Sequence, residues 1–174
     1  MSAVVEQVVT RAVPRPDGRS WLRWGAAVFV VLETIHLVGG TLGNDWEGWR
    51  TFFQNAAFVI VSGVILVGLT YGVLVRWGLK ASPGGRNRAA LTGLGAGLLS
   101  VVAYAAFFAW APVLIAPSAV LLGRAGLGHA REGRGGHAAA AGATVLGLAS
   151  LAVFVALLTY AALNDGNYPW IFGG

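Results

Sequence analysis

A glutamate and a histidine lie three residues apart inside an otherwise apolar stretch, VFVVLETIHLVGG, which runs from Val28 to Gly40. On a helix, this spacing puts Glu33 and His36 on one face, with their Cβ atoms about 5 to 6 Å apart. A carboxyl group and an imidazole at that separation can share a proton or hold one ligand. The pair is therefore a candidate for acid–base chemistry, and we predict Glu33 and His36 as catalytic residues.

The composition places this pair in a membrane protein. Hydrophobic residues make up 56% of the 174-residue chain and charged residues 11%, with a mean hydropathy of +0.69, whereas about a quarter of the residues in soluble domains are charged. Runs with few or no charges at 25–44, 51–75, 89–123 and 135–164 are each long enough to cross a bilayer as a helix. The sequence predicts an all-α integral membrane protein, with one compact bundle over residues 21–174 and a flexible cytoplasmic tail at residues 1–20.

Basic residues indicate how the chain is threaded. They cluster before the first run, after the second, and between the third and the fourth, while the loop after the first run holds two acids and a single arginine, Arg50. Cytoplasmic loops are enriched in Lys and Arg, so we expect a cytoplasmic N-terminus. Of the 12 basic residues all but Lys80 are Arg, a bias typical of GC-rich bacterial genomes, and the expected location is a bacterial plasma membrane.

The third run decides the number of crossings. A single crossing through residues 89–123 would put Arg124, Arg131 and Arg134 outside, against the positive-inside rule. Trp110, Ala111 and Pro112 in its middle resemble an interfacial aromatic followed by a proline in the first turn of a helix. We therefore predict five transmembrane segments, at about 24–43, 52–75, 89–109, 112–128 (short) and 137–163, with the C-terminus outside. Four crossings, with a cytoplasmic C-terminus, are the alternative.

Polar and aromatic residues are expected at the outer ends of these segments. They are Asp45, Trp46, Trp49, Gln54, Asn55 and Asp165. Gln54 and Asn55 lie about one turn inside the second segment, where side-chain amides need partners. We predict that this set walls an outward-facing binding pocket with Glu33 at its floor, and that Tyr104 is a further binding residue. The candidate hydrogen-bond partners of His36 are Ser62, Ser100, Tyr104 and Ser150. The tryptophans alone also fit an interfacial aromatic belt.

Small residues four apart predict close helix packing. The pairs are Gly39 with Gly43, Gly93 with Gly97, Ala138 with Gly142, and Ala143 with Gly147. Such spacing lets two helix backbones approach closely in a membrane. Packing within the chain is the favoured interpretation, and self-association through these faces is the alternative.

Several kinds of site lack support in the sequence. The chain has no cysteine, so it has no disulfide and no thiolate ligand. The Glu-x-x-His pattern occurs once, whereas di-iron bundles use two copies and two further glutamates. Nucleic acid is not an expected partner, because the basic residues are spread over short loops. We predict no metal and no cofactor.

Two functions remain open. In the first, the protein binds a lipophilic small molecule, such as an isoprenoid, a quinone or a lipid, and transforms it by metal-free acid–base chemistry. A cofactor-independent isomerisation or cyclisation is the reaction that the Glu33 and His36 pair suits best. In the second, the chain is a non-catalytic membrane subunit or a small proton-linked transporter component, and the pair stabilises the bundle or conducts protons.

Overall fold

The computed structural model describes residues 23–28, 30–31, 34, 49–80, 86–105 and 111–164. These residues are helical apart from short connections and include no strand, which confirms the all-helical prediction for this part of the chain. The helical residues 23–28, 30, 31 and 34 are called the N-terminal helix below. The helices that follow are α1 (Trp49–Val67), α2 (Arg76–Leu79), α3 (Arg88–Ala105), α4 (Ala111–His129) and α5 (His137–Leu163). Gly68–Val75 joins α1 to α2 as a π-helical segment.

Three continuous helical stretches in the described part are long and apolar enough to cross a membrane. They are Phe52–Leu79, Ala111–Arg134 and His137–Tyr160, with 28, 24 and 24 residues. Arg88–Tyr104 is also apolar but shorter. These lengths are compatible with a membrane-embedded protein, since about 20 residues span the hydrocarbon core.

The side chains are arranged with small residues inside and large apolar residues outside. Ala96, Ala119 and Ala143 are fully buried, whereas Phe58, Val102 and Val155 are each more than half exposed. A soluble monomer rarely exposes such extended apolar surface. The arrangement suits helices that pack through small residues while lipid surrounds them.

Helices α3 and α4 form an antiparallel hairpin. A Cβ atom added to Gly93 would lie 2.9 Å from the Cβ of Leu122, and one added to Gly126 would lie 2.9 Å from the Cα of Ala90. Because residue numbers rise along one helix as they fall along the other, the run 89–123 is divided between two helices of opposite direction. The chain between them, residues 106–110, lies outside the described part.

Helices α5 and α1 complete the up-and-down arrangement. Gly147 of α5 packs on Val120 of α4, and Ala140 lies beside Gly126, so α4 and α5 are antiparallel. The π-helical segment and α2 run parallel to α4, because Tyr71 bonds to Leu114 and Gly78 packs on Leu122. All loops that carry described basic residues therefore gather at one end of the molecule.

Apart from Ala138, the described members of the predicted small-residue pairs take part in packing within the chain. Gly93 and Gly97 pack on Ala143 and Leu146 of α5, and Gly147 packs on α4. Ala138 is exposed, and Gly142 approaches Leu94. The pair Gly39 and Gly43 lies outside the described residues.

Asn87 ties three parts of the chain together just before α3. Its side-chain oxygen accepts a bond from the backbone N–H of Ala90 at 3.1 Å and so caps α3. Its amide nitrogen donates to the carbonyl oxygens of Gly126 at 2.7 Å and Gly135 at 3.0 Å. The side chain is buried, so one residue holds the start of α3, the end of α4 and the turn before α5 in register.

Candidate functional site

The structure describes only part of the predicted site. Glu33, His36, Asp45, Trp46 and Asp165 lie outside the described residues. The backbones of Trp49 and Asn55 belong to α1, but their side chains also lie outside the description. The outward-facing pocket therefore stays a prediction.

Gln54 and Tyr104 are the two predicted binding residues whose side chains can be placed. Gln54 is exposed near the start of α1. Tyr104 is half-buried and its hydroxyl donates to the carbonyl oxygen of Ser150 at 2.6 Å, which links α3 to α5. The hydroxyl proton of Tyr104 is therefore already donated to α5. In a hydrogen bond between Tyr104 and His36, the imidazole would have to donate and the Tyr104 hydroxyl oxygen would accept.

An apolar groove of about 270 Å³ lies between four parts of the fold. It is bounded by the N-terminal helix, the π-helical segment, α4 and α5. The lining residues are Trp24, Gly25, Val28, Tyr71, Pro117, Val120, Leu121, Leu148 and Leu151. Because Leu148 and Trp24 are more than half exposed, the groove opens on the surface where the helices present their large apolar residues.

Tyr71 sets the depth of the groove. A Cβ atom added to Gly25 would lie 2.5 Å from the Tyr71 ring, so only glycine lets the N-terminal helix pack against that ring. The buried hydroxyl donates to the carbonyl oxygen of Leu114 at 2.9 Å. The ring thus forms an apolar floor while its polar atom is satisfied by α4. The π-helical turn is a rare conformation that is frequent at functional sites.

Pro117 forms the α4 wall of the groove at the middle of the helix. A proline in a helix interior has no N–H for the carbonyl four residues earlier, which is Val113 here, and its ring crowds that turn. The Tyr71 hydroxyl bonds to Leu114, the next residue along, so a polar donor lies beside this irregular turn. Two departures from regular α-helix, one in each wall, therefore face the same groove.

Known proteins give no further guide to this site. No family model, curated protein or solved structure matches the chain. Sequence reasoning missed Gly25, Tyr71 and Pro117, because each is an ordinary residue of an apolar segment. The only sequence signal was Pro117, a proline well inside a predicted helix.

One end of the molecule carries a dense group of basic side chains. It contains Arg76, Lys80, Arg86, Arg88, Arg124, Arg131 and Arg134. Arg88 lies over the Trp77 ring, with 5.3 Å from the guanidinium carbon to the ring centroid, a cation–π contact. Glu132 lies 3.9 Å from Arg134. In the part of the chain that is described, no three His, Asp or Glu side chains lie close enough to hold a metal ion.

Proposed function

We propose that the protein is an integral membrane protein that binds a lipophilic molecule in the groove between Trp24, Tyr71, Pro117 and Leu148. The observation that carries this proposal is the groove itself, which is lined by apolar side chains and opens on an apolar surface. Such a cleft is favourable for hydrocarbon, because the ring of Tyr71 covers its floor and leaves no unpaired hydroxyl there. The ligand enters sideways from the bilayer.

The proposed arrangement in the membrane has five crossings, with the N-terminus in the cytoplasm and the C-terminus outside. The antiparallel hairpin of α3 and α4 supports two crossings in the run 89–123. The gathering of basic residues at one end supports a cytoplasmic location for that end. A reporter fused after Gly174 that reads the cytoplasmic side would contradict this topology.

Filling the groove is expected to weaken retention of the ligand. Leu148→Trp places an indole ring in the groove. Displacing about two methylene groups of a ligand costs ~1.6 kcal/mol, which weakens binding about tenfold or more. The measurement is native mass spectrometry of the protein purified in mild detergent, with extraction and chromatography of the bound molecule.

The matched control is Val155→Trp. Val155 lies on α5 seven residues after Leu148 and is similarly exposed, 61% against 54%, but does not line the groove. Both variants add the same ring to the same helix face, so Val155→Trp is expected to retain the ligand. Equal retention by Leu148→Trp and the wild type would show that the groove is not the binding site.

Acid–base chemistry by Glu33 and His36 is the catalytic part of this proposal. Its support is the sequence, in which Glu33 and His36 stand three residues apart in an otherwise apolar segment, a spacing that puts both side chains on one helix face. Glu33→Gln keeps the size and hydrogen bonding of the side chain but removes its proton exchange. We expect the variant to hold the ligand in its unconverted form, because isomerisation or cyclisation then lacks its proton donor.

Both reactions leave the mass of the molecule unchanged, so chromatography of the extracted ligand is the measurement. Wild type and Glu33→Gln should yield two species of equal mass that elute at different times. A single identical species from both proteins would refute catalysis and favour the non-catalytic subunit or transporter component.

A further inference from the structure

Arg88 and Trp77 form a contact between two helices at the basic end of the molecule. The guanidinium carbon of Arg88, the first residue of α3, lies 5.3 Å from the centroid of the exposed Trp77 ring on α2. The two helices pack closely beside this contact, because a Cβ atom added to Gly78 would lie 3.2 Å from the Cβ of Thr92. The fold therefore holds the guanidinium group at a defined place between α2 and α3.

The guanidinium group of Arg88 keeps its hydrogen-bond donors in this contact. A cation–π contact uses the face of the guanidinium plane, whereas its five N–H groups point outwards from the edge of that plane. Within the described residues, none of these donors is bonded and Arg88 has no ion pair. A group with two acceptor oxygens fits this edge, because arginine donates two parallel bonds to a carboxylate or a phosphate.

The surroundings of the contact are positively charged. Three further basic residues, all exposed, belong to α2, follow it directly or shortly precede α3; they are Arg76, Lys80 and Arg86. No Asp or Glu occurs in the sequence between Glu47 and Glu132, and Glu132 lies beside Arg134. This part of the chain thus provides no carboxylate for its cations. A negatively charged group is attracted to this surface and an ammonium group is repelled.

An exposed apolar row begins at the same contact and follows α3. From Arg88 it continues through Leu91, Gly95 and Leu98, whose spacings of three and four residues place them on one helix face. Leu91 and Leu98 are more than half exposed, and a Cβ atom added to Gly95 would meet no atom within 4 Å. The glycine leaves a gap in the row about 10 Å along the helix axis from Arg88, and a hydrocarbon chain fits in it.

We propose that an anionic phospholipid binds at this surface, with its phosphate group on the edge of the Arg88 guanidinium and one hydrocarbon chain along Leu91 and Gly95. Trp77 provides the ring that holds Arg88, and tryptophan is enriched at the membrane interface, where headgroups lie. Basic pockets between transmembrane helices at the cytoplasmic side bind acidic lipid headgroups. This inference rests on the membrane location in the proposed function, but not on the groove, which is lined by other residues.

The test compares retained lipids that differ only in headgroup. The full-length protein is reconstituted in nanodiscs with equal amounts of palmitoyl-oleoyl phosphatidylglycerol and palmitoyl-oleoyl phosphatidylcholine, and the lipids that stay bound on release into detergent are counted by native mass spectrometry. We expect the wild type to retain the anionic lipid preferentially. Arg88→Gln should reduce this preference about fivefold, the effect of one basic side chain near an anionic membrane surface.

Three further variants separate a defined site from general attraction to a basic surface. Trp77→Leu changes no charge but removes the ring that holds the guanidinium, and should reduce the preference about two- to fivefold. Arg131→Gln removes a charge from the same end but leaves the Trp77 contact intact, and should keep the preference. Arg88→Lys keeps the charge without the two parallel bonds, and should fall between Arg88→Gln and the wild type. Circular dichroism and size-exclusion chromatography check that each variant is folded.

The pattern across these variants decides whether the site exists. A loss of preference in Arg88→Gln and Trp77→Leu, with none in Arg131→Gln, supports it. An equal loss in Arg131→Gln, or an unchanged preference in Trp77→Leu, overturns it and shows general surface attraction. Release of the retained lipid by sodium phosphate, but not by sodium chloride at the same ionic strength, would show a site for free anions and also overturn it.

The groove variant Leu148→Trp distinguishes failure of this site from failure of the proposed function. It should leave the headgroup preference unchanged, because Leu148 lines the groove and none of the residues around Arg88 does. If Leu148→Trp weakens retention of the groove ligand while the wild type shows no headgroup preference, the groove stands and the Arg88 site fails. If the preference is present and Leu148→Trp changes nothing, the Arg88 site stands and the groove fails.

Discussion

Asn87→Ala is expected to destabilise the folded protein by about 3 kcal/mol. The substitution removes the acceptor that caps α3 at Ala90 and the two donors to Gly126 and Gly135. The site is buried, so two carbonyl oxygens lose their partner without full access to water, and that desolvation adds to the loss of the cap. The measurement is the unfolding midpoint in detergent, followed by circular dichroism.

Two further variants test whether the three hydrogen bonds of Asn87 account for the loss of stability in Asn87→Ala. Asn164→Ala removes one bond, from its amide nitrogen to the carbonyl oxygen of Tyr160 at 2.8 Å, at an exposed site, and should change stability by less than about 0.5 kcal/mol. Asn87→Asp keeps the capping oxygen but puts a carboxylate against two carbonyl oxygens, and should fall close to Asn87→Ala. Stability close to the wild type in Asn87→Ala would show that these contacts contribute little.

The helical part of the fold could be predicted because each segment carries its own signal. Charge-free length indicates a membrane-crossing helix wherever it occurs, and Pro112 marks the start of a helix through its fixed backbone angle. The basic cluster of Arg124, Arg131 and Arg134 indicated in addition that the chain returns to the cytoplasmic side before residue 124. Local composition alone was therefore enough to predict that the run 89–123 contains two helices.

The contacts that fix the helices against each other could not be predicted in this way. Asn87 looks like a residue of a basic loop, and its role depends on the ends of α3, α4 and α5 meeting at one point. Likewise, nothing near Gly25 in the sequence shows that the ring of Tyr71 lies against it. Such pairs are set by the register between distant segments, which a single sequence does not reveal.

The residues that line the groove could not be predicted from the sequence either. Sequence reasoning turned to Glu33 and His36, because polar groups in an apolar segment are costly and stand out. The groove is lined by ordinary apolar residues, so their residue types do not indicate a binding site. Its lining residues come from the N-terminal helix, the π-helical segment and the middle of α4 and α5, whereas the predicted pocket was expected at the outer ends of the segments.

Gly123→Ala is expected to destabilise the packing of α4 on α5 by about 3 kcal/mol. A Cβ atom at this position would lie 2.8 Å from both the carbonyl oxygen of Ala140 and the backbone nitrogen of Thr144, and it would also meet the Thr144 hydroxyl. The end of a flexible side chain can move away from an added Cβ atom, whereas backbone atoms can move only if the helix moves. The two helices must therefore separate, and close packing through small residues is what stabilises helices in a membrane.

Gly128→Ala provides the control on the same helix. A Cβ atom added to Gly128 would meet no atom within 4 Å, so the only effect is the higher helix propensity of alanine, worth up to about 1 kcal/mol in favour of folding. The two substitutions are chemically identical and five residues apart, and they should shift the unfolding midpoint in detergent in opposite directions. Because Gly147 packs on the α4 residue Val120, separation of α4 and α5 would also widen the groove beside Val120 and Leu148. Gly123→Ala should therefore lose the ligand of the groove as well as stability, whereas equal midpoints for the two variants would show that α4 and α5 do not depend on close approach at Gly123.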